Sequence, residues 1–328
     1  MAEVHVFSIP LATRFRGLTT REGMLLRGAA GWGEFSPFVE YDAPTSVPWL
    51  ACAREAAEVG WPEPLRSHVE VNATVPACDP EQAHAIVLAS GGCRTAKVKV
   101  AEAGQQPHED EARLEAVRDA LGPDGRIRVD ANGGWSVEDA LRRIPVLDRA
   151  AVGLEYVEQP VSSVEDLAVV RRRVGVPVAA DESIRRAADP YRVRDLEAAD
   201  VAVLKVQPLG GVRACLRIAE DIGIPVVVSS AVESGVGIAA GLALAAALPE
   251  LPYACGLATR QLLTADVVTS SATPVGGRLE VTALEVDLAR LEELAADAHR
   301  VAWWQLRLAE VEDAARVAGL AMGQDRRS

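Results

Sequence analysis

Five charged residues end short apolar segments and indicate one polar site. They are Lys99, Asp130, Glu158, Asp181 and Lys205, at the ends of AKVKV, RIRVDAN, LEYVEQP, PVAADES and VAVLKVQP. Short apolar runs of this kind are typical of buried strands. A charge at the end of such a strand is costly to desolvate unless it meets a partner or a metal ion. The order lysine, acid, acid, acid, lysine therefore predicts one site to which five strands contribute.

The three acids favour a hard divalent cation. Asp130, Glu158 and Asp181 would offer carboxylate oxygens from three consecutive strands, with no His or Cys in the set. Such ligands suit Mg²⁺ or Mn²⁺ better than Zn²⁺, and Mg²⁺ keeps positions open for water and substrate. The alternative is three solvated loop acids, which would have no reason to share the strand-end position in consecutive units.

The lysines on either side of the acids predict proton-transfer chemistry. A lysine ammonium has a pKa of about 10.4, and a nearby divalent cation or second ammonium disfavours its charged form. Lys97 shares a strand face with Lys99 and could act in this way, or it could form an ion pair with an acid in the barrel. A metal ion beside such a lysine suits removal of a proton alpha to a carboxylate.

The elements that position these residues follow a regular strand–helix rhythm. Strand candidates begin at VEVNATV near residue 69, recur about every 22–30 residues, and end at YACGLAT near residue 253. This spacing is the length of one βα unit. The segment 107–121, with apolar residues three and four apart, predicts one of the intervening helices. Eight strands alternating with helices predict an α/β fold closed into a barrel, with active-site groups at the strand C-termini.

The two ends of the chain have a different pattern. The first 65 residues combine short alternating strands, the turn GAAGWGEFSP and the helix-like VPWLACAREAAEV. ATPVGGRLEV (272–281) predicts a turn or hairpin in place of a last helix, and the amphipathic segment 290–320 predicts a C-terminal helix. We therefore predict a (β/α)7β TIM-like barrel over residues 67–285. An α+β capping domain would combine residues 1–66 with 286–328.

Composition excludes several classes of protein. The 328 residues are 49% hydrophobic and 25% charged, as in ordinary globular domains, and the net charge of −13 argues against nucleic-acid binding. No leader with a basic and then an apolar region is visible, and the apolar stretch 236–248 is too short to span a bilayer. Five cysteines without CxxC spacing favour a reducing compartment. We expect a cytoplasmic monomer or small homo-oligomer that acts on a small-molecule carboxylate, without nucleic-acid or membrane partners.

A few further residues are candidates for substrate contacts. Ser229, Ser230 and Glu233 follow the seventh strand candidate and precede a helix, whose first NH groups suit a carboxylate. Ordinary helix capping is the alternative. Arg16 and Arg21 lie near a first-domain loop and could cover the substrate, with plain solvation as the alternative.

Together, the motifs resemble the enolase superfamily. They are KVK at 97–99, DAN at 130–132, EQP at 158–160, DES at 181–183, LKVQP at 204–208 and, in the first domain, GWGEFSP at 31–37. The lysine pair makes the chain similar to the muconate-lactonizing-enzyme-like subgroup. Mandelate-racemase-like members use a histidine base late in the barrel, and no histidine of this chain lies at a late strand end.

This resemblance implies a role for each strand-end residue. Asp130, Glu158 and Asp181 would bind Mg²⁺, with Mn²⁺ as the alternative. Lys99 would take the alpha proton and then protonate the departing hydroxide. Lys205, held cationic, would stabilise the enediolate.

The resemblance also implies supporting residues and a reaction. Asn132 and Glu182 would lie next to the metal ligands and hold them in place, without binding the metal ion themselves. The opening VFSIPLATRFRGLTTREGMLLRG is most similar to members that dehydrate a succinyl-substituted cyclohexadiene carboxylate in menaquinone biosynthesis.

Three alternatives stay open at this point. Racemisation of N-succinylamino acids needs no residue that dehydration lacks, because two lysines facing one carbon can pass a proton across it. A lysine Schiff-base lyase would keep its activity in the presence of a chelator and be trapped by borohydride. A non-catalytic binding protein of the same fold would tolerate Lys99→Ala without loss of function.

Overall fold

The structure is a computed structural model that describes residues 3–15, 17–185, 190–269, 272–282 and 285–319. The strands are β1 (Glu3–Phe15), β2 (Leu18–Arg27), β3 (Trp32–Phe35), β4 (His68–Glu70), β5 (Ala73–Val75), β6 (Thr95–Lys99), β7 (Arg126–Asp130), β8 (Tyr156–Glu158), β9 (Val178–Ala180), β10 (Val201–Lys205), β11 (Val226–Ser229) and β12 (Arg278–Glu280). The helices are α1 (Ala43–Arg54), α2 (Pro80–Leu88), α3 (Pro107–Leu121), α4 (Val137–Ala150), α5 (Val164–Arg171), α6 (Glu182–Arg185), α7 (Arg192–Asp195), α8 (Val212–Ile222), α9 (Gly235–Ala247), α10 (Leu288–Glu293) and α11 (Ala298–Val317). A π-helical turn, Glu55–Val59, extends α1, and a 3-10 turn spans Arg260–Leu262.

Seven parallel strands form most of a barrel, in the order β5-β6-β7-β8-β9-β10-β11. Cys255 bridges to Val71 beside β5, and Gly256 bridges to Ser229 at the end of β11. The Gly256 NH donates to the Val228 carbonyl at 2.8 Å. This short eighth segment joins the two edges of the sheet, so the predicted α/β, TIM-like fold is confirmed.

The sequence explains how these elements begin and why the strands are buried. Barrel strands such as β10 are buried along their whole length, as expected for parallel strands covered by helices. The side chains of Ser136 and Ser163 cap α4 and α5 by accepting from the NH three residues on. The helix predicted over 107–121 is confirmed as α3. Among the described helices, none combines the length and apolar character that a membrane-spanning helix needs.

The first predicted barrel strand, VEVNATV, divides into two strands with different partners. β4 pairs antiparallel with β12, whereas β5 belongs to the barrel. Between them the Val71 NH donates to the Gly277 carbonyl and the Asn72 NH donates to the Cys255 carbonyl. The prediction of one continuous strand was wrong because the backbone changes its hydrogen-bonding partner at this point.

The C-terminal helix predicted over 290–320 is also interrupted. It forms α10 and α11, and the Asp297 side chain caps α11 by accepting from the Arg300 NH at 2.9 Å. Just before this cap, the Ala296 NH donates to the Val6 carbonyl of β1. A bond to a neighbouring strand replaces the helical bond there, which ends α10.

The N-terminal elements and α11 share one apolar cluster. β1, β2 and β3 form an antiparallel sheet, and α1 packs beside it and against α11. Trp304 of α11 is fully buried and meets the Phe35 ring edge-on at 6.0 Å between centroids. These contacts support a capping domain that α11 completes; its boundaries, 1–66 and 286–328 around a barrel at 67–285, stay a prediction.

Trp304→Ala tests how strongly α11 holds the capping domain together. We expect the free energy of unfolding to fall by about 3–5 kcal/mol, because the substitution empties a buried aromatic site. Leu306→Ala, at a position on the same helix that is 62% exposed, should change it by about 0.5 kcal/mol or less. Urea unfolding followed by circular dichroism measures both, and equal losses for the two variants would contradict this view of α11.

Candidate active site

The five strand-end residues lie at one end of the barrel because the strands are in register. Lys99 of β6 pairs with Asp130 of β7, and Asp130 pairs with Glu158 of β8. Asp181 directly follows β9, and Lys205 is the last residue of β10. Parallel strands place all five side chains at the C-terminal mouth, where active sites of such barrels lie.

Lysines from β6 hold two of the carboxylates. The Lys97 ammonium donates to both carboxylate oxygens of Glu158 at 2.9 Å and lies 3.4 Å from Asp130 Oδ2. The Lys99 ammonium donates to Asp130 Oδ2 at 2.5 Å and to Asn132 Oδ1 at 2.6 Å. Of the two possibilities for Lys97, the structure therefore has the ion pair with a barrel acid.

Asp181 has two cationic partners, one of which the sequence analysis missed. Lys205 Nζ donates to Asp181 Oδ2 at 2.7 Å, and Arg185 Nε donates to Asp181 Oδ1 at 2.7 Å. Arg185 also donates to Glu182 and, at 3.0 Å, to the Tyr41 hydroxyl of the capping domain. The signal available in the sequence was its position four residues after Asp181, on the short helix α6.

Burial, mutual repulsion and the neighbouring cations shift the pKa values of the three acids, whose residues are all 0% exposed. Burial and the Asp130 carboxylate raise the pKa of Glu158 to about 7, against the Lys97 ammonium. Burial alone would also raise the pKa of Asp130, but Lys99 and Lys97 hold it well below its usual range. Burial acts against the charge of Lys97 as well, yet Glu158 and Asp130 together raise the pKa of this ammonium above its usual range.

The donor set fits a divalent cation. Three buried carboxylates at adjacent strand ends supply the hard oxygen ligands that Mg²⁺ prefers. Burial and then the neighbouring carboxylates raise the pKa of Glu158, and a divalent cation at these oxygens would favour its charged form. In the present side-chain arrangement each carboxylate is turned to a cation, and no group of three His, Cys, Asp or Glu in the described segments is arranged to hold a metal ion.

Polar residues just after the strands fix the orientation of the acids. The Asn132 NH donates to Asp130 Oδ1 at 3.0 Å, and the Asn132 amide group donates to Glu182 Oε1 at 3.3 Å. Gln159, which the sequence analysis did not select, is fully buried and accepts from the Asp181 NH at 3.0 Å. It also donates to the Ser183 hydroxyl at 2.7 Å, so β8 and the start of α6 are tied together.

A narrow pocket lies above the lysines. Its described lining comprises Phe38, Thr74, Lys97, Lys99, Asn132, Lys205, Ser229, Ser230, Ala231, Val232, Gly256 and Thr259. Ser229 and Ser230 are therefore placed at the pocket, and the Ser230 hydroxyl lies 2.8 Å from that of Thr259. Glu233 is not in this lining, and its carboxylate accepts from the Ala231 NH at 2.7 Å. Arg16 lies outside the described residues.

The first NH groups of α9 bond to carboxylates of the protein itself. Glu34 of β3 accepts from the NH groups of Ser234 and Gly237 at 3.1 and 3.0 Å, and Asp266 accepts from the Gly235 NH at 2.9 Å. For this turn the sequence left two possibilities, binding of a substrate carboxylate and ordinary helix capping. These NH groups take part in helix capping. Glu34, interpreted from the sequence as part of a turn, thereby links the capping domain to the barrel.

The lysine content of the chain is a further sequence signal for this site. The chain contains three lysines, Lys97, Lys99 and Lys205, and all three contact the acids of this site. At all other positions where the chain has lysine or arginine, the residue is arginine. Arginine keeps its proton under all ordinary conditions, whereas lysine can give up its proton. In this sequence lysine therefore occurs only where it contacts the carboxylates of the site.

Comparisons with known proteins agree with one another. The family described as enolase C-terminal domain-like matches residues 80–285, and the family described as enolase N-terminal domain-like matches residues 6–57. The o-succinylbenzoate synthase of Thermobifida fusca is 65% identical over 92% of this chain and 94% of its own length. That of Mycolicibacterium smegmatis is 52% identical over 93% of each chain. Muconate lactonizing enzyme from Pseudomonas fluorescens, solved with muconolactone, shares the fold, with a TM-score of 0.78, 22% identity, and coverage of 90% of this chain and 98% of that one.

Glu233→Gln tests the charge balance beneath the pocket. Burial and the Glu34 carboxylate raise the pKa of Glu233 from 4.5 to about 7, against the Arg21 guanidinium. Between these two values the folded protein holds a proton that the unfolded chain has released, so Glu233 lowers stability as the pH rises through this window. As the pH rises from 5 to 8, we expect the free energy of unfolding of Glu233→Gln to increase by about 1–3 kcal/mol relative to that of the wild type.

Urea unfolding of the metal-free protein at the two pH values measures this difference. The exposed Glu250→Gln is the matched control and should follow the wild type at both pH values. Identical pH dependence for Glu233→Gln and wild type would contradict the prediction.

Proposed function

The chain belongs to the o-succinylbenzoate synthases of the enolase superfamily, and on that premise we propose that it is a lyase that dehydrates 2-succinyl-6-hydroxy-2,4-cyclohexadiene-1-carboxylate to 2-succinylbenzoate. The observation that carries the proposal is the meeting of two lysines and three carboxylates around one pocket mouth. The proposal includes Mg²⁺ as the cofactor, menaquinone biosynthesis as the pathway and the cytoplasm as the location.

Lys99 is the proposed acid and base. As a neutral amine its Nζ takes the proton from the ring carbon that bears the carboxylate, and the bonding electrons pass into an enediolate. The same Nζ then returns the proton to the hydroxyl group that leaves the neighbouring carbon, so water departs and the ring becomes aromatic. In the structure Lys99 donates to Asp130 and Asn132, and its ammonium must lose one proton to solvent before a lone pair is available.

Lys205 is proposed to stay cationic and to stabilise the enediolate. Its ammonium enters the pocket lining and keeps Asp181 as its partner. Asp130, Glu158 and Asp181 are the proposed metal ligands, and a bound divalent cation would neutralise charge that develops on the substrate carboxylate. Asn132, Glu182 and Gln159 hold these acids in place through the bonds described above.

Racemisation of N-succinylamino acids is the second candidate, alone or beside dehydration. It is favoured by the same pocket, because Lys99 and Lys205 both line it and could exchange a proton at one carbon. The two reactions differ in what they require of Lys205. Dehydration needs its charge, whereas racemisation needs it to give and take a proton.

Substitution by arginine distinguishes a lysine that acts through its positive charge from a lysine that acts as a base. With the cyclohexadiene precursor and Mg²⁺, Lys99→Arg and Lys99→Ala should both lower kcat by about 10³-fold, because arginine keeps the charge but cannot accept a proton. Lys205→Arg should retain at least about tenfold more activity than Lys205→Ala, because it keeps the cation. Arg126→Ala, at an exposed position at the opposite end of β7, is the matched control and should behave as wild type.

Product assays and inhibitors decide between dehydration, racemisation and the alternative of a lyase that forms a Schiff base. Formation of 2-succinylbenzoate is followed by absorbance, and deuterium incorporation into N-succinylamino acids reports racemisation. We expect EDTA to stop turnover and borohydride to leave the enzyme active. Rapid deuterium incorporation with an untouched precursor, or activity that survives EDTA, would overturn the proposal.

A further inference from the structure

Two walls of the pocket come from different parts of the chain and meet above the lysines. Ala231 and Val232 belong to the loop that follows β11, whereas Phe38 follows β3 of the N-terminal sheet. A substrate placed over Lys99 and Lys205 would lie between these walls, so their relative position determines how it is held.

Arg21 of β2 reaches both walls from behind. It is only 2% exposed, and its Nε donates to the Val232 carbonyl at 2.9 Å. Its guanidinium carbon lies 4.9 Å from the centre of the Phe38 ring. The other nitrogens donate to the Glu22 carbonyl at 3.1 Å and to the Ser36 hydroxyl at 2.8 Å, which fixes the guanidinium. The sequence suggested that Arg21 covers the substrate. In the structure it lies beneath the pocket wall instead.

The loop that Arg21 holds is strained at the point of contact. Val232 has a φ of 62°, a left-handed conformation that is unfavourable for a β-branched residue. Such a conformation persists only where the surroundings over-determine it. The bond from Arg21 to the Val232 carbonyl and the bond from the Ala231 NH to Glu233 restrain the loop on either side of this strain.

Buried acids around Arg21 make its charge necessary as well as its shape. Glu34 and Glu233 are both buried, and Arg21 lowers the pKa of each carboxyl against the burial that raises it. The Ser36 hydroxyl, which accepts from Arg21, donates to Glu34 at 2.5 Å. A lysine at this position would keep the charge, but it lacks the planar fork that makes these bonds together.

We infer that Arg21 is a positioning residue for the substrate pocket. It holds the strained loop at Ala231–Val232 and the Phe38 ring in one arrangement, without touching the substrate or the reacting atoms. The inference rests on the proposed function for the identity of the substrate, but not for the arrangement of the loop.

Arg21→Lys tests this role by separating substrate binding from chemistry. We expect KM for the cyclohexadiene precursor to rise about tenfold or more, while kcat changes by less than about threefold, because the lysines stay in place. Hydrogen exchange of the backbone NH groups in residues 230–233 should accelerate in the ligand-free protein. Arg118→Lys is the matched control: Arg118 also donates to backbone carbonyls, those of Ala151, Gly122 and Gly125, but on α3 away from the pocket.

Ser36→Ala is the milder second variant, should Arg21→Lys fail to fold. It removes one partner of the guanidinium, and we expect about a threefold rise in KM with faster exchange in the same loop. Unchanged KM and unchanged exchange in both variants would overturn the inference, as would equal effects in Arg118→Lys. If the wild type does not convert the precursor but Arg21→Lys still accelerates exchange at 230–233, the proposed function fails and the positioning of the loop stands.

Discussion

Electrostatic repulsion among three carboxylates buried side by side would destabilise the barrel mouth if no cations balanced their charge. Asp130, Glu158 and Asp181 are fully buried, and each has at least one ammonium or guanidinium partner within 3 Å. Removal of one partner from such a pair destabilises a protein by about 3–5 kcal/mol. The lysines are thus part of the stability of the mouth as well as candidates for its chemistry. A site of this kind can accept a divalent cation because its acids are already gathered and partly screened.

The capping domain stabilises the same mouth from outside. Glu34 accepts from the first NH groups of α9, and Glu55 accepts from the Val212 NH at the start of α8 at 2.7 Å. A carboxylate at a helix N-terminus satisfies unpaired NH groups and interacts favourably with the helix dipole. The loops that end at these two helices follow Lys205 and Ser229, the last residues of β10 and β11, and the second loop contains Ser230–Val232. Cap and barrel therefore share the task of positioning the pocket.

Much of this architecture could be predicted because it depends on local patterns. The strand–helix rhythm, the limits of α3 and the capping serines follow from periodicity and from neighbours a few residues apart. The division of VEVNATV into β4 and β5 could not be predicted, since it depends on partners about 180–210 residues away, Cys255 and Gly277. Arg21 and Glu34 were misinterpreted, and the capping-domain partner of Arg185 was missed, for a similar reason. Their roles arise from contacts with distant loops, the hydroxyl of Tyr41 and the start of α9.

The presence of only three lysines offers a direct test of the site. Incorporation of isotopically labelled lysine gives side-chain NMR signals from Lys97, Lys99 and Lys205 alone. Each contacts a proposed metal-ligating carboxylate, so we predict that all three signals shift on titration with Mg²⁺ and yield one common dissociation constant. Asp130→Asn should weaken that binding. Lysine signals that stay unchanged at saturating Mg²⁺ would contradict the view that the lysines and the three acids form one metal-binding active site.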